Sequence, residues 1–220
     1  MQTDTKGEQQ ARERVLLLHG LMRGAGSMRP LRYAFTRAGH RAETFRYPSS
    51  RHDIQSHVRA LAERCRGLQD EGVEQIHFVT HSLGGLVVRG LLQAEEHPAY
   101  VGRLVMVAPP NGGSAMARRV LSWPGLRTLY GPSGQDLRDP DVIDQICALP
   151  RGPFMVIAGV RGFDWRNPTS YLGRSFLEPP HDGTVTVEET KLEGASELLL
   201  VDESHTFLPS HPEVIAAALR

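Results

Sequence analysis

Ile76-His77-Phe78-Val79-Thr80 runs directly into His81-Ser82-Leu83-Gly84-Gly85 and then into Leu86-Val87-Val88, and this stretch decides the fold. The first five residues read as a short buried strand, while Leu86, Val87, Leu91 and Ala94 recur at helical spacing. Between them Ser82 falls on a very tight strand-to-helix turn, raised above the sheet edge, and Gly84 and Gly85 let strand and helix approach closely. Read alone, the hexapeptide also fits a serine capping a helix beside glycines. Its surroundings separate the two readings.

Upstream, Val15-Leu16-Leu17-Leu18 is apolar at every position, the pattern of a strand covered by helices on both faces. A helix is predicted over Met28 to Ala38, with Ser27 as its cap and Pro30 in its first turn. A strand over Ala42 to Tyr47 and an amphipathic helix over Ile54 to Leu68 follow. Downstream, Leu104 to Ala108, Phe154 to Ala158 and Leu198 to Val201 read as further strands, and Ser210-His211-Pro212-Glu213 as a capping box opening the last helix. Strands alternating with helices predict an α/β fold, a mainly parallel sheet of about six strands flanked by helices. Two connections are long: Pro109 to Pro153, with two short helical stretches, and the Gly- and Pro-rich Gly159 to Glu197. Connections beyond about 12 to 15 residues in a compact domain are usually functional or disordered, which marks these two as candidate site-building segments.

The division expected is a polar tail over residues 1–14 and a single domain over 15–220, in which 111–150 forms a small lid or pocket wall. A chain of 220 residues buries roughly 70% of its unfolded surface, so its core needs no disulfide or structural metal. Cys65 lies among Ile54, Val58, Leu61 and Leu68 at helical spacing, and Cys147 in a short apolar run, so both read as packed thiols. With 25 basic and 25 acidic residues there is no net field to draw the chain to nucleic acid or anionic lipid. The longest apolar runs fall far below the roughly 18 residues of a membrane span. Met1 to Arg14 lacks the apolar middle of a secretory signal, which sets the expected location as cytoplasmic. No Cys/His spacing suggests a metal site, and no cofactor is expected.

A serine hydroxyl is a weak nucleophile near neutrality and needs a base, which in turn needs an orienting carboxylate. Both should lie on loops at the carboxyl edge of the sheet. Of ten histidines, His205 alone follows the sixth strand on such a loop; His52, His57 and His97 read as exposed, and His181 is the rival. For the acid, Asp182 precedes Gly183 in a tight turn after the fifth strand, with Asp164 as the alternative. The backbone N–H groups of Leu21, in the Gly-rich loop after the first strand, and Leu83, after the serine, are the candidate oxyanion donors.

Leu17-Leu18-His19-Gly20-Leu21, Val79 to Gly85, Ala108-Pro109-Pro110-Asn111-Gly112-Gly113-Ser114, Asp182-Gly183-Thr184-Val185 and Ser204-His205-Thr206-Phe207 occur in the order of the α/β-hydrolase superfamily, and the chain resembles its small bacterial lipase-like carboxylesterases from about Val15 onward. The resemblance implies a serine carboxylic-ester hydrolase with Ser82, His205 and Asp182 as catalytic triad, acting through an acyl-enzyme on short or medium acyl esters. Acyltransferase or thioesterase chemistry would use the same residues, and a non-catalytic scaffold is the alternative from another class. The expected partner is a small-molecule ester, and the expected state a monomer or small homo-oligomer. Met22, His81, Trp123 and Leu126 are candidate substrate contacts, the last two within an apolar set that also includes Val120, Leu121, Leu129 and Tyr130. The family pattern G-x-S-x-G has glycine where this chain has Thr80, which implies a slightly reshaped elbow or a helix standing off from it; with everything downstream of Ser82 intact, it reads as a tolerated variation.

Overall fold

A computed structural model of the chain describes residues 12–220. Six strands, β1 (Glu13–Leu18), β2 (Ala42–Phe45), β3 (Gln75–His81), β4 (Val101–Val107), β5 (Phe154–Gly159) and β6 (Glu197–Val201), form one sheet in the order β2-β1-β3-β4-β5-β6. Every neighbouring pair is parallel. The helices are α1 (Arg29–Arg37), α2 (Ile54–Asp70), α3 (Leu83–Ala94), α4 (Ala115–Val120), α5 (Pro124–Asp136), α6 (Pro140–Ile146), α7 (Pro168–Gly173), α8 (Val187–Thr190) and α9 (Pro212–Ala218).

Side-chain alternation along the strands sorts the core into two layers. Leu16, Leu18, Ile76, Phe78, Leu104, Met106 and Val156 join the apolar faces of α2 and α3 in one. Val15, Leu17, Val79, Val105, Val107, Ile157 and Val201 join Leu31 and Phe35 of α1 and Val214 and Ala217 of α9 in the other. Helices on both faces explain why β1 is apolar without alternation.

Several boundaries differ from the sequence reading. Residues 1–11 of the expected tail lie outside the described residues, and β1 begins at Glu13 because Glu13 and Arg14 pair with Gln75 and Ile76. Ser27 does not cap α1: its hydroxyl donates to Gly24 O within a 3-10 turn over Ala25–Met28, and the cap position is Met28. The last helix is capped one residue later than expected, by the His211 ring accepting from Glu213 N at 3.3 Å, because Ser210 is used in a 3-10 turn over Leu208–Ser210. The connection after β4 holds three helices instead of two. In it α5 is broken at Gly131, whose φ of 65° lets the backbone pass against Ser50, where any Cβ would collide with the carbonyl oxygen.

Thr80 neither reshapes the elbow nor pushes α3 away. It is fully buried, its hydroxyl donates to Val105 O at 3.3 Å, and the room it needs on the helix side comes from Gly85. The position that tolerates nothing is Gly84, where a Cβ would lie 2.8 Å from both Cβ and carbonyl oxygen of Leu18. Gly84→Ala should therefore force α3 off β1 at a cost of about 1–3 kcal/mol, against about 1 kcal/mol gained in helix preference. Thermal unfolding should show Tm falling by a few degrees, whereas Gly67→Ala, on the open side of α2, should raise it. Equal shifts for the two variants would contradict this packing.

Candidate active site

In this strand order the chain leaves β1 toward β2 on one side, while β3 lies on the other. The loops after β1 and β3 thus diverge at the carboxyl edge, where parallel sheets form their binding crevice. Ser82 lies there between β3 and α3 with φ 52° and ψ −121°, a strained conformation for a residue with a side chain. Its N–H donates to Val107 O at 2.8 Å and its carbonyl accepts from Gly85 N at 2.9 Å, so the turn is pinned from both ends. Gly20 brings the loop after β1 against it; a Cβ on Gly20 would lie 3.1 Å from the Ser82 Cβ. Among the described residues, neither Leu21 N–H nor Leu83 N–H donates within the protein, so both remain free to meet an oxyanion.

Asp182 and His205 come together as a buried pair. The His205 Nδ1–H donates to Asp182 Oδ2 at 2.7 Å, and His205 N–H donates to Asp182 O at 2.9 Å. The other carboxylate oxygen, Oδ1, accepts from Thr184 N at 2.9 Å and Val185 N at 2.7 Å. This turn requires Gly183: its φ is 88°, and a Cβ there would meet Ser170 at 2.7 Å. With Nδ1–H directed at Asp182, Nε2 is the ring nitrogen left without that bond. Among the described residues no hydrogen bond joins the Ser82 hydroxyl to His205.

The alternatives are engaged elsewhere. Asp164 takes two bonds from the Arg166 guanidinium, at 3.0 and 2.6 Å, and one from the Ser204 hydroxyl at 3.2 Å. The Arg166 bonds hold its carboxyl well below the usual carboxylate range. The His181 ring accepts from Gly183 N at 3.0 Å and serves the acid's turn.

Of the candidate substrate contacts, Met22 is exposed on the loop after β1, with φ 55°. His81 is not at the surface of a cleft: it is 1% exposed, and its Nε2 lies 3.0 Å from His205 O. By its place next to Ser82 it reads in sequence as a substrate neighbour, but here the imidazole turns into the protein. The apolar set after β4 divides by packing. Leu121 belongs to the main core, Val120 packs with Met116 and Leu177, Leu126 and Tyr130 lie half-buried against that cluster, and Trp123 and Leu129 are exposed.

Sequence reading missed three features. His57, expected on the surface, is buried edge-on against Tyr47, which itself stacks on His19 at 4.4 Å and donates its hydroxyl to the His19 carbonyl. The short α8 closes a reciprocal cap between Thr186 and Glu189. Arg89 is buried in α3 and donates to Ala148 O at 3.0 Å, Asn111 Oδ1 at 3.0 Å and Cys147 O at 3.4 Å, clamping both stems of the insertion after β4. A lone arginine inside the apolar run Leu86 to Leu92 was the available signal for the clamp. The cysteines are free and buried, and burial pushes the Cys65 thiol up to about 12 and that of Cys147 to about 11.

His19, His57, His77, His81 and His181 are all held below the ordinary imidazole value of 6.5, in each case chiefly by burial. Below that pH the unfolded chain binds more protons than the folded one, so stability should fall with acidification. The urea midpoint is expected to be level between about pH 7 and 8 and to drop from about pH 6.5 to 5. A midpoint that rises on acidification would contradict the neutral, buried state of these rings.

In fold the chain is similar to solved α/β-hydrolases. The mature form of lipase BlEst2 from Bacillus licheniformis superposes with a TM-score of 0.80 at 18% identity, over 95% of this chain and 91% of that one. An α/β hydrolase fold protein from Burkholderia ambifaria gives a TM-score of 0.64 at 15% identity, over 94% and 89%. Phospholipase PlaB from Legionella pneumophila gives 0.65 at 19% identity, over 81% of this chain but only 45% of that one. The protein has the α/β-hydrolase fold. No curated protein matches it in sequence. Residues 1–128 match a family described as a domain of unknown function (DUF7379), and the chain belongs to that family. Among the described residues, no helix is long and apolar enough to cross a membrane.

Proposed function

We propose that the protein is a serine carboxylic-ester hydrolase in which Ser82 is the nucleophile, His205 the base and Asp182 the orienting acid. The observation that carries this reading is the buried Asp182–His205 pair at 2.7 Å, at the same sheet edge as the strained Ser82. Ser82 Oγ attacks the acyl carbonyl carbon as its proton passes to His205 Nε2. The oxyanion formed is met by the N–H groups of Leu21 and Leu83, and His205 returns the proton to the departing alcohol. Water then attacks the acyl-enzyme with His205 again as base, releasing the carboxylic acid and restoring Ser82. The similar structures include a lipase and a phospholipase, which supports ester hydrolysis as the reaction class.

A shallow, open depression lined by His19, Gly24, Arg46, Tyr47 and Pro48 lies beside the loop after β1; its lining includes no residue of the proposed triad. A cavity of about 550 Å³ opens among Glu13, His77 and Arg103 at the amino ends of the strands, the edge opposite Ser82. The insertion over residues 111–150 is proposed as a lid or wall of the site, and Arg89 ties both its stems to α3. The test is hydrolysis of p-nitrophenyl acetate, butyrate, octanoate and palmitate, repeated with added alcohols. The expected result is a rate optimum at short or medium acyl chains with free acid as the main product. Predominant transfer to the alcohol would make the protein an acyltransferase, and an optimum at palmitate would overturn the substrate class.

A further inference from the structure

We infer that His81 is a positioning residue: its imidazole ties the nucleophile turn to the carbonyl of His205 and so sets the spacing between nucleophile and base. The inference rests on the triad reading above. His81 Nε2 lies 3.0 Å from His205 O, and because a carbonyl only accepts, Nε2 carries the proton. The two rings lie 4.7 Å apart between centroids, tilted by 42°. His81 Nδ1 is buried without a hydrogen-bond partner, an arrangement that costs free energy and persists where the rest of the ring is committed. On its other side the ring packs against the loop after β1, where a Cβ on Gly20 would lie 3.2 Å from Nδ1.

The bonds made by the base loop differ in what they fix. Two bonds, His205 N–H to Asp182 O and His205 Nδ1–H to Asp182 Oδ2, fasten the base to the acid. Neither reaches the elbow, and the side-chain bonds from Ser204 to Asp164 and from Thr206 to Asn167 likewise run only to the connection after β5. Among the described residues, the His81 bond is the one hydrogen bond between the elbow and its helix, residues 75–94, and the segment 197–210 that carries the base. His81 is the chain neighbour of Ser82, so no flexible segment intervenes between the strut and the nucleophile. Loss of the strut changes the geometry of proton transfer without touching substrate, and a misplacement of 1 Å can cost about 10²-fold in rate.

The test compares His81→Leu, His81→Gln and His81→Asn with wild type and Ser82→Ala, measuring kcat and KM on p-nitrophenyl butyrate. Gln places an amide N–H near the position of the imidazole Nε2; Asn reaches only as far as Nδ1. His81→Leu is expected to lower kcat by about 10²-fold with KM nearly unchanged, and His81→Gln to recover most of that loss. Should His81→Leu fail to fold, the Gln and Asn variants decide: Gln active and Asn impaired supports the strut, and equal activities overturn it. Wild-type kcat in His81→Leu, or an effect confined to KM, also overturns it. Wild type no more active than Ser82→Ala would remove the triad reading and this inference with it, whereas an active wild type with an equally active His81→Leu removes the inference alone.

Discussion

Ser82→Ala should lower kcat for ester hydrolysis by on the order of 10⁶-fold while leaving the fold and Tm essentially unchanged. The size of the loss follows from the chemistry, because without Oγ no acyl-enzyme forms and only binding and the oxyanion donors remain. The neutrality toward stability follows from the structure. The hydroxyl makes no hydrogen bond among the described residues, and the turn is held by backbone bonds to Val107 and Gly85 that alanine retains. Alanine also keeps the φ of 52°, so strain is neither relieved nor added. Burst and steady-state assays with near-ultraviolet circular dichroism check both halves, and a folded variant retaining much of the wild-type rate would contradict the role given to Ser82.

Asp182→Asn is expected to cost about 10⁴-fold in kcat, and the reason lies in the hydrogen bonds around it. Oδ1 accepts from two backbone N–H groups, so an asparagine must place its carbonyl oxygen there. Its NH₂ then faces His205 Nδ1, where the carboxylate had accepted. Two donors cannot face each other, so the imidazole moves its proton to Nε2 and can no longer take one from Ser82. The fold tolerates the change because the volume is conserved and the turn bonds survive. Steady-state kinetics with a thermal melt check this, and an Asn variant near wild-type activity would show that Asp182 does not set the tautomer. Asp164→Asn serves as the control: its partners are Arg166 and Ser204, and it should leave kcat within a few-fold.

What the sequence makes legible is local and periodic. Val15 to Leu18, apolar without alternation, is a strand covered on both faces, and Ile76 to Gly85 reads directly as strand, turn and helix. Asp182-Gly183 reads as a turn because the glycine's positive φ is a local requirement. What stays hidden depends on contacts between distant segments. His57 is polar and sits in an amphipathic helix, yet Tyr47 and the loop at Ser49 to His52 close over it. His81 looks like a substrate contact until the loop carrying His205, 124 residues later in sequence, is folded against it. The break in α5 falls at Gly131-Pro132, a local helix-breaking pair, but the close approach to Ser50 that it permits is not contained in 124–136. The cap of α9 was displaced because Ser210 finds a nearer partner in Phe207 O.

The most direct measurement is intact-protein mass spectrometry after exposure of folded wild type and Ser82→Ala to a fluorophosphonate. Such a reagent phosphonylates a serine only where a base activates it and donors stabilise the developing negative charge. A single adduct on wild type, located to the peptide containing Ser82 and absent from Ser82→Ala, is the predicted result. Folded wild type that takes up no adduct, or an adduct that persists in Ser82→Ala, would contradict the account.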